Sequence, residues 1–386
     1  MRLAFVDPID WDYTVQTAFE RPLGGSQSAL CYLTAALARR GHKLFVFNNT
    51  TTPGRFLDVR CFDLRSATAD FLEGLRLDAI VVLNAPASAA QIREGMTDVP
   101  QLILWSQQAA DQPAVACLSD GSVRESHDAF VFVSQWQLAQ YTQQFRVLPE
   151  KCHVFCNAIA PSFERLFSPG ERILAAKSRP PVLAYTSTPF RGLELLLDVF
   201  PNIRDAIPGV TLKVFSGMQV YHVAPQEDQH EFGQFYDACR RIEGIEYLGS
   251  ISQPELAGQL RDITMLTYPN NFAETSCIAV MEAMAAGCQI VTSQLGTLPE
   301  TASGFARLVP TESNRETYQR NFAEACVELL TSQAVSRRAP DIAAPAPETQ
   351  VVYGEDHLQR HVAFANQSLN WDHRAHEWES HLTSIE

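Results

Sequence analysis

The stretch "ITMLTYPNNFAETSCIAVMEAMAAGCQIVTSQ", residues 263–294, decides the fold. ITMLTYP at its start and QIVTSQ at its end read as strands. Between them, the run from Cys277 through Ala279, Val280, Met281, Ala283, Met284 and Ala285 is small or apolar and stops at Gly287. It predicts a buried helix, with Thr275 and Ser276 supplying the N-cap. Two carboxylates interrupt the pattern. Glu274 lies just ahead of the helix, and Glu282 lies well inside it, where an unpaired carboxylate is costly to bury. Something has to compensate Glu282.

Working outward, the same alternation runs along the chain. RLAFVDP is a short apolar strand, SQSALCYLTAALARRGHK a helix with a Ser cap and a terminal Gly41, and LFVFNN a strand, which makes a parallel βαβ unit. Further strands follow at DAIVVLN, QLILWS, AFVFVS and HVFCNAI, and their continuous apolar character implies a sheet covered on both faces. The pattern lapses over residues 160–180 and resumes with strand VLAYTS, helix GLELLLDVFPNIRDAI, strand TLKVFSG, a helix near 231–242, strand IEYLGS and helix PELAGQLRD before the opening stretch. Two doubly wound α/β domains in tandem are expected: residues 1–165 and residues 166–365. Residues 338–350, RAPDIAAPAPETQ, read as a loose surface loop, and the final segment as an amphipathic helix with Trp371, Trp378 and Leu382 on one side. That helix needs a surface to pack on.

The 386 residues are 46% hydrophobic and 19% charged, which excludes a disordered chain. No apolar run approaches the roughly 20 residues of a membrane span, and the opening turns acidic too early for a signal peptide, so a cytoplasmic protein is expected. A net charge of -14 without clustered cations argues against nucleic acid as a partner. Lys occurs only at 43, 151, 177 and 213, so phosphate recognition has to rest on Arg and backbone amides. Nine Cys show no CxxC pair and read as reduced thiols. His357 with His361, and His373 with His376, have helical spacing but lack HExxH and a third ligand, so no metal is expected.

Ligands of parallel sheets bind beyond the carboxyl ends of the strands. In the first domain that place holds PLGGSQ, where Gly24 and Gly25 can bring amides against a phosphate, although Gly-Gly before a helix is also an ordinary turn. A G-x-G-x-x-G fingerprint is absent, which disfavours a dinucleotide. In the second domain TSTPFRG, SGM and PNNFAETS gather at one end. Arg191 there can meet a diphosphate, with the amides of Thr275 and Ser276 beside it; by itself it reads equally as a solvated cation at a helix start. Its coincidence with Glu274 and Glu282 favours a ligand carrying phosphates and hydroxyls, which describes a nucleotide sugar.

The order "GGSQSALCYLTAALARRGHKLFVF", "FVSQWQLAQYTQQFRVLPEKCHVFCNAIAPSF", the opening stretch with its E-x7-E spacing, AMAAG and LPE, and "WDHRAHEWESHL" resembles the retaining glycosyltransferases of family 4 over nearly the whole chain. The resemblance implies the GT-B fold: two Rossmann-like domains facing a cleft, with the C-terminal helix, about residues 366–386, crossing back to the first. It implies transfer of a hexose-type sugar from a nucleoside diphosphate sugar, with retention and without a metal or other cofactor. Glu274 then matches the carboxylate on the donor-sugar hydroxyls and Glu282 the one on the ribose, which supplies the missing compensation.

The departures are specific. Family members carry an Arg and a Lys on the diphosphate; here Arg191 stands at the Lys position, and Thr186 or Ser187 where the Arg is expected. Where the family often has a His, LILWSQQ has Gln107, which can hydrogen-bond a sugar hydroxyl but cannot carry a proton. General-base catalysis from that position is excluded. For the acceptor, a glycan or glycoconjugate or a protein, Asp10, Trp11 and Tyr13 are the candidates beside Gln107, with loop packing as the other reading of Trp11. No basic amphipathic helix advertises membrane docking, though peripheral contact fits a lipid-linked acceptor. The rival readings are a non-catalytic sugar-nucleotide-binding or scaffold protein and a GT-B epimerase.

Overall fold

The structure, a computed structural model, describes residues 1–338 and 354–383. The chain divides into two compact units. Unit 1 is Met1–Pro161 with Glu274–Ser276 and Leu369–Glu386, and unit 2 is Ser162–Ala273 with Cys277–Ser368. The expected boundary at residue 165 thus falls inside unit 2. The loop expected over 338–350 lies, but for its first residue, outside the described residues.

Unit 1 runs β1 (Arg2–Val6), α1 (Thr17–Glu20), α2 (Gly25–Arg39), β2 (Lys43–Asn48), β3 (Gly54–Phe56), β4 (Val59–Asp63), α3 (Ala69–Gly74), β5 (Ala79–Leu83), α4 (Pro86–Gly95), β6 (Gln101–Trp105), α5 (Gly121–Glu125), β7 (Ala129–Phe132), α6 (Gln135–Phe145) and β8 (Cys152–Val154). The sheet order is β3-β4-β2-β1-β5-β6-β7-β8, parallel except for the β3–β4 hairpin. The hairpin was not foreseen: it is short and exposed, and Asp58 at its tip gives no apolar alternation. The HVFCNAI strand is shorter than expected and stops at Val154.

Unit 2 runs α7 (Ile173–Ala176), β9 (Val182–Tyr185), α8 (Leu193–Ala206), β10 (Thr211–Val214), α9 (Pro225–Arg241), β11 (Ile245–Tyr247), α10 (Gln253–Asp262), β12 (Met265–Tyr268), α11 (Ile278–Ala285), β13 (Gln289–Gln294), α12 (Leu298–Ala302), β14 (Arg307–Pro310), α13 (Arg315–Arg338) and α14 (Glu355–Ser368). Its parallel sheet has the order β11-β10-β9-β12-β13-β14. Strand order therefore reverses between β9 and β12, the place where open α/β sheets bind ligands. Helix α9 begins six residues earlier than expected, because Pro225 at its first turn and the acids Glu227 and Asp228 favour an N-terminus that hydrophobic periodicity does not register.

Helix α11 is the helix of the opening stretch, ended by Gly287 at φ +64, but its N-cap is Cys277 rather than Thr275 or Ser276. Lys177 is 4% exposed and its ammonium donates to Arg261 O at 2.8 Å and Ala286 O at 2.6 Å. One cation thus serves the carbonyl ends of α10 and α11.

The last helix, α15 (Trp371–Thr383), belongs to unit 1 and packs on α2. Trp371, Trp378 and Leu382 are all buried, as the sequence predicts. The Trp378 ring meets Trp105 at 5.4 Å and Phe5 at 6.3 Å. Arg39 pairs with Asp372 at 2.7 Å, and Glu379 receives Arg40 and His42.

Candidate functional site

In unit 2 the loops after β9, β10 and β12 converge at the switch point. Arg191 closes a 3-10 turn, Pro189–Arg191, that follows β9. Its guanidinium lies 4.8 Å from the Phe272 ring centroid, in the loop after β12, and 5.4 Å from that of Phe190. Its Nη2 donates to the Tyr221 hydroxyl, after β10, at 3.1 Å. The next residue, Gly192, has φ +109, and a Cβ there would stand 2.1 Å from Pro269 O. Only glycine lets the β9 and β12 loops approach so closely.

Around that point, buried polar atoms stand without partners: Thr186 Oγ1 and Thr188 Oγ1 after β9, Ser216 Oγ after β10, Asn270 Nδ2 after β12 and Thr297 Oγ1 after β13. Buried polar groups are ordinarily hydrogen-bonded, and these five, on loops at the carboxyl ends of four adjacent strands, can be satisfied by a ligand. Glu282, 3% exposed, lies in α11, the helix that follows β12.

Unit 1 holds the other expected residues. Gly25 is the first residue of α2 and Gly24 its N-cap, with the Trp11 ring 3.0 Å from where a Gly24 Cβ would lie. Asp10 is exposed, and Asp12 instead fixes the loop through the amide and hydroxyl of Thr51 at 2.9 and 2.6 Å. Tyr13 is not a surface contact. It is 1% exposed, and its hydroxyl donates to Asp7 Oδ2 at 2.7 Å. Asp7 also accepts from Gln27 at 3.0 Å. Burial pushes the Asp7 carboxyl up, against the hydrogen bonds from Tyr13, Gln27 and the Ile9 amide. This buried carboxylate, which ties the Trp11 loop to α2, went unread in the sequence although it breaks an apolar strand's end.

Gln107, 9% exposed, follows β6. Its amide donates to Asn84 Oδ1 at 2.7 Å, its side-chain oxygen accepts from Asn157 at 2.9 Å, and its carbonyl accepts from Thr275 Oγ1 at 2.8 Å. Asn157 has no sequence signal beyond its place after an apolar run. Glu274 is 4% exposed, and Ser276 Oγ is a further buried atom without a partner. The structure thus brings Arg191 together with the loops after β10 and β12, gathers Gln107 and Thr275, and removes Tyr13. Among the described residues, no group of three or more His, Cys, Asp or Glu side chains is arranged to hold a metal ion. No described helix is long and apolar enough to cross a membrane.

Residues 180–332 match the family model described as glycosyl transferases group 1. The chain is 23% identical over 287 residues to a phosphatidyl-myo-inositol mannosyltransferase of Mycobacterium leprae, covering 66% of this chain and 71% of that one. A protein of the same name from Mycobacterium tuberculosis is 21% identical over 329 residues, covering 76% and 78%. Among solved structures, sucrose-phosphate synthase from Thermosynechococcus elongatus superposes with a TM-score of 0.68 at 15% identity, covering 100% of this chain and 98% of that one. Anabaena Alr3699/HepE in complex with UDP-glucose superposes with a TM-score of 0.65 at 14% identity, covering all of both chains. The fold is the GT-B fold, built from two Rossmann-like parallel-sheet domains.

Proposed function

We propose that this chain, with its group 1 match over residues 180–332, is a retaining glycosyltransferase. It would move a hexosyl group from a nucleoside diphosphate sugar to a hydroxyl of a glycan or glycoconjugate. The reading is carried by the switch point of unit 2, where a guanidinium is held beside buried, partnerless hydroxyl and amide groups on four adjacent strands. Phosphates and sugar hydroxyls are the groups that satisfy such a set. The names of the mycobacterial relatives support hexosyl transfer.

In this reading Arg191 grips the diphosphate, with amides at Gly25, Thr275 and Ser276 assisting. Glu282 accepts from the ribose hydroxyls, and Glu274 orients the hexose. Attack is on the face the leaving group occupies. The acceptor oxygen bonds to the anomeric carbon as the bond to the diphosphate oxygen breaks, and that oxygen takes the acceptor's proton. The protein contributes orientation and stabilisation of the departing charge. Arg191 and the amides meet that charge, so the scheme calls for no metal. Gln107 hydrogen-bonds a sugar hydroxyl and moves no proton, while Asp10 and Trp11 remain on the acceptor side. Nine cysteines, all outside disulfides, support a reducing, cytoplasmic setting.

A thermal-shift screen of UDP-, GDP-, ADP- and dTDP-sugars, followed by turnover assays with the stabilising donor, tests the reading. Stabilisation with hydrolysis or transfer supports it. Tight binding without either supports a non-catalytic binder of the same fold, and no stabilisation by any nucleotide sugar overturns both.

A further inference from the structure

The main chain around Gln107 is held on both sides. The carbonyls of Ser106 and Gln108 accept from Gln137 Nε2 at 3.1 and 2.7 Å, and the Tyr141 hydroxyl donates to Gln108 O at 3.0 Å. Both holders belong to α6 and are fully buried, and the Val133 amide fixes Gln137 in turn by donating to its Oε1 at 2.8 Å. With Asn84 Oδ1 on its amide and the Thr275 hydroxyl on its carbonyl, Gln107 has its own backbone fixed at both ends. Its side-chain amide then starts from a set position.

That amide meets Asn157, 2% exposed and three residues beyond β8, whose Nδ2 donates to Gln107 Oε1 at 2.9 Å. Each partner keeps one polar atom over. Gln107 Nε2 and Asn157 Oδ1 are buried and find no hydrogen-bond partner among the described residues. Two amides bond only through nitrogen to oxygen, so turning both over together restores the bond with the roles exchanged, and turning one alone sets like against like. In either sense the pair has one donor and one acceptor left to satisfy. Sugar hydroxyls both accept and donate, and so satisfy it in full; a carboxylate or phosphate oxygen only accepts and meets half, and a deoxygenated carbon meets none.

We infer that the Gln107–Asn157 amide pair is a subsite that reads a hydroxyl of the donor hexose, with Asn157 a specificity-determining residue. The inference rests on the proposed glycosyl transfer. Thr275, which holds the Gln107 carbonyl, follows directly on Glu274, the carboxylate proposed to orient the hexose. The reader is then a bonded pair drawn from the ends of β6 and β8, in which Asn157 fixes how Gln107 presents its amide.

The polarity of the pair supplies the test. Asn157→Asp puts an acceptor-only group of the same shape against Gln107, which can meet it with Nε2; Gln107→Glu keeps an oxygen for Asn157 Nδ2. Each variant retains the inner bond and presents acceptors alone to the ligand. Calorimetry on the full chain and both variants compares UDP-, GDP-, ADP- and dTDP-glucose and GDP-mannose with the corresponding free diphosphates, melting temperature serving as the folding control. For the donor that the parent binds, both variants should lose about three- to tenfold in nucleotide-sugar affinity, the scale of one neutral hydrogen bond, with diphosphate affinity unchanged. Monodeoxy analogues of that donor close the cycle: removing one particular hydroxyl should cost the parent a similar factor and the variants little more. If both variants keep the parental ratio of nucleotide-sugar to diphosphate affinity, whatever happens to their melting temperatures, the inference is overturned and glycosyl transfer stands. A shift in Gln107→Glu alone removes Asn157 as a determinant and overturns it too. Should Asn157→Asp not fold, Gln107→Glu and the deoxy series decide, and additive losses there overturn the pair. If the parent binds none of these nucleotide sugars, the proposed function fails and the inference with it.

Discussion

Gly192→Ala is expected to be among the most damaging single methyl additions in unit 2. The added Cβ would stand 2.1 Å from Pro269 O, 3.0 Å from Pro269 C and 3.4 Å from Asn270 Cα, all backbone atoms that cannot swing aside as a side chain can. The position also has φ +109, which an L-residue adopts only under strain. Holding such a conformation costs about 1–3 kcal/mol, and relieving the overlap by displacing α8 or the β12 loop costs about 1–3 kcal/mol more. At roughly 2–4 °C per kcal/mol for a domain of this size, the melting temperature should fall by about 5–20 °C. Gly304→Ala is the control: its φ is +81 and nothing lies within 4 Å of the added methyl, so it carries the backbone strain without the overlap. Scanning calorimetry of both variants separates the two contributions. The reasoning is refuted if Gly192→Ala melts within about 2 °C of the parent, or no lower than Gly304→Ala.

The two carboxylates should fail differently. Glu282→Gln should weaken free nucleoside diphosphate and donor alike by about 1–3 kcal/mol, whereas Glu274→Gln should leave free nucleotide binding near normal and lower turnover; unchanged nucleotide affinity in a folded Glu282→Gln protein sinks that assignment. Turnover should persist in excess EDTA, and a full loss restored by magnesium or manganese would end the metal-free scheme. Stability should decline on acidification. Burial, with His153 beside it, lowers His381 to about 4, and burial lowers His127 to about 4. The unfolded chain therefore binds the protons first, so the stability these two residues contribute is present above about 6.5 and is lost as pH falls toward 4, at up to about 1.4 kcal/mol per pH unit each. Urea titrations at pH 7 and pH 5 measure the fall, and His381→Gln should reduce it.

The parts of the fold that strong periodicity marks were legible before the structure. Strands such as Ala79–Leu83 and Ala129–Phe132 are buried along their whole length, and Trp371, Trp378 and Leu382 share a face that only burial explains. The start of α9 and the β3–β4 hairpin were not, because exposed elements owe their place to capping and pairing rather than to an apolar period. At the candidate site, Glu282 stood out as a carboxylate in an apolar run, and Arg191 through its coincidence with Glu274 and Glu282. Asp7 and Asn157 did not, because their hydrogen-bond partners Tyr13, Gln27 and Gln107 come from elsewhere in the chain, and separation in sequence hides such contacts. Tyr13 misled for the same reason: a tyrosine among carboxylates reads as a sugar contact until its hydroxyl is found on Asp7.

The return of the chain to unit 1 has a consequence for synthesis. Phe5 and Trp105 lie in the first part of the chain, yet the ring that covers them, Trp378, is translated only after the whole of unit 2. Until then the emerging first unit carries an uncovered aromatic patch beside α2, with Arg39 and Arg40 lacking Asp372 and Glu379. Unit 2, by contrast, is interrupted only by the three residues Glu274–Ser276, and all of it through Ser368 is made before Trp378. The later-made unit is therefore positioned to finish folding first, and the earlier-made one waits for its last helix, a period in which holdase chaperones have an apolar surface to bind.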